Sequence, residues 1–171
     1  MPNTMTLISA VTVGSGGASS IDFTSIPQTY TDLVILTSIR GNQDNGITYL
    51  LRFNNSTSGY SGKYLLKDSS EATPVSGNSQ TDRLFLGVVG GATPTASTFS
   101  NDSIYIPNYT SSNNKSVSID SAMENNSTMQ WMSLSSGLWS NSSAITSITL
   151  YPNVNVWIQH STAYLYGIVK Q

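Results

Sequence analysis

Apolar side chains recur at every second position through much of this chain. That period restricts it to β-strands with one face buried and the other open. Ile47, Tyr49, Leu51 and Phe53 alternate without a break, with Arg52 on the opposite face. Gly137–Leu150 (GLWSNSSAITSITL), His160–Ile168 (HSTAYLYGI) and Ser19–Leu36 (SSIDFTSIPQTYTDLVIL) interleave apolar with hydroxyl residues in the same way. No stretch carries the period of a helix three turns long; at most a short turn is expected near Ala122–Asn126.

Punctuation by Gly, Asn, Ser and Pro divides the chain into about ten strands. The first is expected over Thr4–Val13, before the Gly14-Ser15-Gly16-Gly17 turn. Ile21, Phe23 and Ile26 lead to Pro27, which lacks a ladder N–H and caps a strand or lies at an edge. Asp32–Arg40, with its LVIL run, reads as a central strand. GNQDNG at Gly41–Gly46 ends in the Asn-Gly pair favoured in tight hairpins. Further strands are expected over Tyr60–Lys67, Arg83–Val89, Phe99–Tyr109, Lys115–Met123, Met129–Trp139, Ala144–Tyr151 and Thr162–Lys170, with Val154–Ile158 a short extra. Asp68–Asp82 is polar and aperiodic and reads as a long loop.

So many closely spaced strands in 171 residues predict one all-β domain, a two-sheet antiparallel jelly-roll-like β-sandwich. Its core is expected to hold Leu33, Ile35, Tyr49, Leu51, Phe53, Trp131, Leu138, Ile145, Ile148, Leu150, Leu165 and Ile168.

Composition narrows the function classes. Charged residues make up 9% of the chain, while Ser (30), Thr (19) and Asn (15) supply its polarity. The net charge of −2 and the thin spread of Arg40, Arg52, Lys63, Lys67, Arg83, Lys115 and Lys170 give no phosphate-binding face, so no nucleic-acid partner is expected. With no cysteine there is no disulfide, no thiolate metal site and no thiol nucleophile. MPNTMTLISAVTV lacks a basic n-region and alternates, so a soluble chain made in the cytosol is expected, with no signal peptide and no membrane partner.

Chemical constellations are sparse. His160 is the single imidazole, and no GxSxG elbow surrounds any serine. Asp120 and Glu124 are close in sequence, but other carboxylates fall where Asp caps turns. Asp44 with Asn42 and Asn45 offers oxygen ligands but lacks the twelve-residue calcium loop. The sequons, for example at Asn101, Asn108 and Asn141, follow from the abundance of Asn, Ser and Thr. No catalytic residue, metal or cofactor is therefore assigned. Aromatic side chains remain: Tyr60, Tyr64, Tyr109 and Trp157 are candidates for an interface or a glycan-stacking surface, Trp157 being expected as the most exposed. Contacts are expected in Asp68–Asp82, in Gly90–Ser97 and around Trp157.

SSIDFTSIPQTYTDLVI, YLLRFNNSTSGYS, GLWSNSSAITSITLYP and STAYLYGI together resemble the recurring motifs of a family of small bacteriophage virion proteins. Such proteins are common in tailed phages of cyanobacteria and other aquatic bacteria. The resemblance runs from about Ser19 to Ile168 and departs at Asp68–Thr98. It implies a β-sandwich carried on the particle as a head decoration (cement) protein, a fibre or an adhesin domain, with capsid or tail proteins as partners. The scarcity of Lys and Pro to blunt strand edges adds an expectation of self-association, as a homotrimer. A carbohydrate-binding module for attachment to host-surface glycan is the alternative.

Overall fold

A computed structural model describes residues 4–68, 75–78, 80–126 and 130–169. Twelve strands form two antiparallel sheets, and no helix occurs among the described residues. They are β1 (Met5–Thr12), β2 (Ile21–Phe23), β3 (Asp32–Ile39), β4 (Gly46–Phe53), β5 (Tyr60–Asp68), β6 (Val75–Asn78), β7 (Leu84–Gly90), β8 (Ser100–Ile106), β9 (Lys115–Met123), β10 (Trp131–Trp139), β11 (Ile148–Pro152) and β12 (Thr162–Ile168). The large sheet runs β1-β12-β3-β8-β9-β10-β5-β6 and the small sheet β2-β11-β4-β7. The expected all-β sandwich is present, but eight strands against four do not establish the jelly-roll form.

Alternation fills the space between the layers. The large sheet contributes Leu33, Ile35, Ile104, Ile106, Val117, Ile119 and Leu165; the small sheet contributes Phe23, Ile47, Tyr49, Leu51, Phe53, Leu84, Leu86, Ile148 and Leu150, all buried. Each such side chain withdrawn from water contributes about 1.5–3 kcal/mol.

Strand β10 (WMSLSSGLW) settles its own facing in a way that shapes the outside of the molecule. Trp139 is fully buried, and Trp131, in phase with it, lies over Gly46, where a Cβ would fall 3.1 Å from the indole. Between them Ser133 and Ser135 are buried while Met132 and Leu134 point out, 68% and 58% exposed. A one-residue slip would bury the Met and Leu but expel both indoles. Small residues on this inner face also let β7 come close. A Cβ on Gly87 would lie 2.4 Å from Ser121 Oγ and 2.8 Å from Ser133 Oγ.

Several expectations are corrected here. Trp131 and Leu138, seven residues apart in one strand, face opposite ways; both are half-buried, as is Ile168, while Trp139 takes the core position. The strand expected from Ala144 begins only at Ile148. Asn54 explains the delay: its Oδ1 accepts from the N–H of Thr146 (2.8 Å) and Ser147 (3.0 Å), and its Nδ2 donates to Ala144 O (2.8 Å). These backbone groups are therefore bound before a ladder can take them. Gly41–Gly46 is no hairpin, because β3 and β4 lie in different sheets; Asn45 still adopts the left-handed conformation, φ 64°. The Asp68–Asp82 loop contains β6, paired with β5 from Leu66↔Val75 to Lys63↔Asn78; residues 69–74 and 79 lie outside the described residues. The expected turn at Ala122–Asn126 is the end of β9 and an irregular exit. Val154–Ile158 forms no strand, only single bridges from Trp157 to Ala18 and Gly41. Met129 and Lys170, expected strand termini, also lie outside the described residues.

Candidate functional site

Of the four aromatic contact candidates, three are in the core. Trp157 is 0% exposed and meets Tyr49 edge-on at 5.5 Å, and its backbone bridges to Ala18 close one end of the sandwich. Tyr60 stacks on Trp139 and accepts the Phe53 N–H at 2.8 Å; burial pushes its hydroxyl pKa up to about 12. Tyr109 is fully buried and donates to Pro27 O. The expectation that these three face a partner is corrected: each ring is large enough to be drawn between the sheets, and each has a backbone hydrogen-bond partner there. Tyr64 alone reaches the surface.

Gly90–Ser97, expected as a contact segment, is organised from within. Arg40 is buried, and its guanidinium donates to the carbonyls of Ala92 (3.1 Å), Pro94 (2.8 Å), Thr95 (2.6 Å) and Thr98 (3.0 Å). No carboxylate is among these partners. Burial lowers the Arg40 pKa, and the carbonyl dipoles stand in for water.

The outer face of the large sheet is apolar over much of its width. Leu7, Tyr166, Val34 and Tyr105 oppose one another across β1, β12, β3 and β8, with Tyr164 opposite Leu36 in the neighbouring row. Farther across, Leu134 faces Leu65 (54% exposed) between β10 and β5, beside Met132. A hollow of about 410 Å³ there is lined by Leu65, Leu134, Ser118 and Ser136. Asp120 and Ser103 separate the two apolar areas. Met132, Leu134 and Leu65 escaped the sequence reading because it sought buried residues; the signal was the phase set by Trp131 and Trp139.

The second surface feature follows from the unequal sheets. The end of the large sheet, β5 and β6, extends past the edge strand of the small sheet, β7, which packs mainly on β9 and β10. Tyr64 bridges this step. Its ring lies 4.2 Å from that of Phe85 and over Gly77, where a Cβ would fall 2.2 Å from the Tyr64 hydroxyl oxygen. A groove of about 440 Å³ opens here, floored by Tyr64, Phe85 and Leu50 and rimmed by Thr48, Asn78, Gln80, Asn153 and Arg83. Arg83 Nε donates to Asp82 Oδ1 at 3.1 Å, and Arg52 grips the other oxygen at 2.6 Å. Arg52 also lies over the Tyr151 ring, 5.3 Å from its centroid. Burial raises the Tyr151 pKa, and the two arginines partly offset it.

The remaining titratable groups do not converge. The hollow that His160 lines, with Arg40, Asn42 and Gln159 among others, has no carboxylate in its lining. Asp120 points outward from β9, and Glu124 accepts from Asn126 N and Gln130 Nε2. Asn42 Oδ1 is taken by Val156 N at 3.1 Å. Among the described residues no three His, Cys, Asp or Glu side chains come together to hold a metal. Asp102 is the exception in kind: it is buried between the sheets, accepts from Thr37 Oγ1 at 2.6 Å, and burial raises its pKa to about 6. Among the described residues its Oδ1, Ser121 Oγ, Ser135 Oγ and Tyr49 OH are buried without a hydrogen-bond partner of good geometry.

No family model, curated protein or solved structure matches this chain.

Proposed function

We propose that this chain is a non-enzymatic structural protein of a bacteriophage particle, an accessory (decoration or cement) protein on the capsid or tail surface that self-associates as a trimer. The observation that carries the reading is the outward band of Met132, Leu134 and Leu65. Soluble monomers seldom leave contiguous apolar surface of this kind open, and where it occurs it marks a protein-contact face. The chain accepts this exposure to keep two tryptophans inside, and burial against sister subunits or a capsid or tail protein offsets it. The open ladder groups of β1 and β6 lie on the same sheet and favour the same partners. The motif resemblance supplies the setting. A reconstruction of the intact particle tests the proposal: density for this sandwich with β10 and β5 against protein is expected, and a particle face lined instead by β4 and β11 would refute it.

A second reading is favoured by the groove at Tyr64 and Phe85. An adhesin-type carbohydrate-binding module needs an aromatic floor and a rim of amides, and this step supplies both. The two readings use different faces, so one chain could carry both.

A further inference from the structure

We infer that the groove between β5–β6 and β7 binds a carboxylate-bearing saccharide, with Tyr64 and Phe85 as the stacking floor and Arg83 as the partner of the carboxylate. The inference rests on the second reading above and adds the ligand's charge. Among the described residues that line the groove Arg83 is the one charged side chain, and no Asp or Glu is present. The nearby Asp82 does not neutralise it, because Arg52 shares that carboxylate through a 2.6 Å contact and an Nε bond to Asp82 O at 3.0 Å. Two guanidiniums against one carboxylate leave a positive balance. The Nε bond to Asp82 also fixes the fork, and with the Tyr151 hydroxyl close to another of its five donors the rest remain for a planar anion.

Neutral sugar recognition would be served by the rest of the lining. Asn78, Gln80, Asn153 and Thr48 offer donors and acceptors for hydroxyls, and Tyr64 and Phe85, packed on each other, supply the apolar wall that a pyranose ring would lie against. A cation at one end of such a lining adds a requirement for an acid group at a fixed distance from the stacked ring. Phosphate-rich polymers fit less well, since one fork with a shared counter-ion is too little charge to hold a polyanion.

Calorimetric titration with oligogalacturonate and with its methyl ester tests the inference on the full chain. The acid form is expected to bind saturably, and the ester about tenfold more weakly or worse. Arg83→Gln should erase the difference between acid and ester, and Tyr64→Ala should abolish binding of both. Lys67→Gln, which removes an equal charge on the outer face of β5 away from the groove, should change neither. Unchanged thermal unfolding of the surface variants shows that the fold is kept. Equal binding of acid and ester, lost only in Tyr64→Ala, would overturn the charge assignment while leaving the glycan reading in place. A loss in Lys67→Gln as large as in Arg83→Gln would reduce the effect to general electrostatics and overturn the assignment too. No saturable binding of either probe would overturn both.

Discussion

Replacing Asp102 with Asn should stabilise this protein at neutral pH, although Asp102 accepts a hydrogen bond in the core. The carboxyl lies between the sheets with Thr37 on Oδ2, while Ser121 stands close enough to favour the charged form without completing a bond to Oδ1. Burial dominates and raises the pKa from 3.8 to about 6, with Asp120 adding a little in the same direction. A raised acid means that the folded state holds its proton more tightly than the unfolded chain. Below about pH 4 both states are protonated and no penalty arises. Between about pH 4 and 6 the unfolded chain ionises first, and stability falls as pH rises. Above about pH 6 both are ionised and the penalty is constant, about 3 kcal/mol from a shift near two units at 1.36 kcal/mol each. Asn keeps an acceptor for Thr37, carries no charge, and gains an N–H₂ that Ser121 Oγ or Tyr49 OH could accept. Urea unfolding of both proteins at fixed concentration, at pH 4, 5, 6 and 7.5, isolates this term because every other carboxylate is common to the pair. The variant should match the wild type within about 1 kcal/mol at pH 4 and exceed it by about 2–3 kcal/mol at pH 7.5. A difference that does not change with pH, or a variant less stable at pH 7.5, would refute the reasoning.

Three further outcomes follow from the packing. Trp157→Ala should cost about 3–5 kcal/mol by opening a cavity against Tyr49, read as a lowered denaturant midpoint; lost partner binding with stability intact would put Trp157 in a contact surface instead. Gly87→Ala should cost about 1–3 kcal/mol by pushing β7 off Ser121 and Ser133, and a neutral result would mean that the sheets are farther apart than described. Arg40→Ala should leave the Ala92, Pro94, Thr95 and Thr98 carbonyls without their cation, measured as faster amide exchange across residues 91–99. Unchanged protection there would show that the loop holds itself.

Much of the architecture was legible because burial and period coincide. Ile47, Tyr49, Leu51 and Phe53 were read as one inward row, and all four are buried. The reading failed where a long-range partner decides. Nothing local announces that Asn54 will occupy the amides of Thr146 and Ser147, 92 and 93 residues away. In β10 Trp131 and Leu138 were read together as core although they lie in opposite phases; two indoles eight residues apart decide the phase and turn serines inward. Trp157 was expected outside because its segment is irregular, but irregular chain closes the end of a sandwich as well as a strand does. The groove was illegible for a topological reason: it exists because β5–β6 overhang a four-stranded partner, and strand order between sheets is not written in alternation. Only Tyr64, among the aromatic candidates, is carried through to it.

The central claim is that the face bearing Met132, Leu134 and Leu65 is covered by protein. Light scattering of the wild type beside a Met132→Lys, Leu134→Lys double variant, at equal concentration, tests it most directly. Both side chains already stand in solvent, so the variant should fold. The account predicts a discrete oligomer, a trimer, for the wild type and a monomer of about one third of that mass for the variant. A wild type that scatters as a monomer at every concentration, or a variant that keeps the oligomer intact, would contradict it.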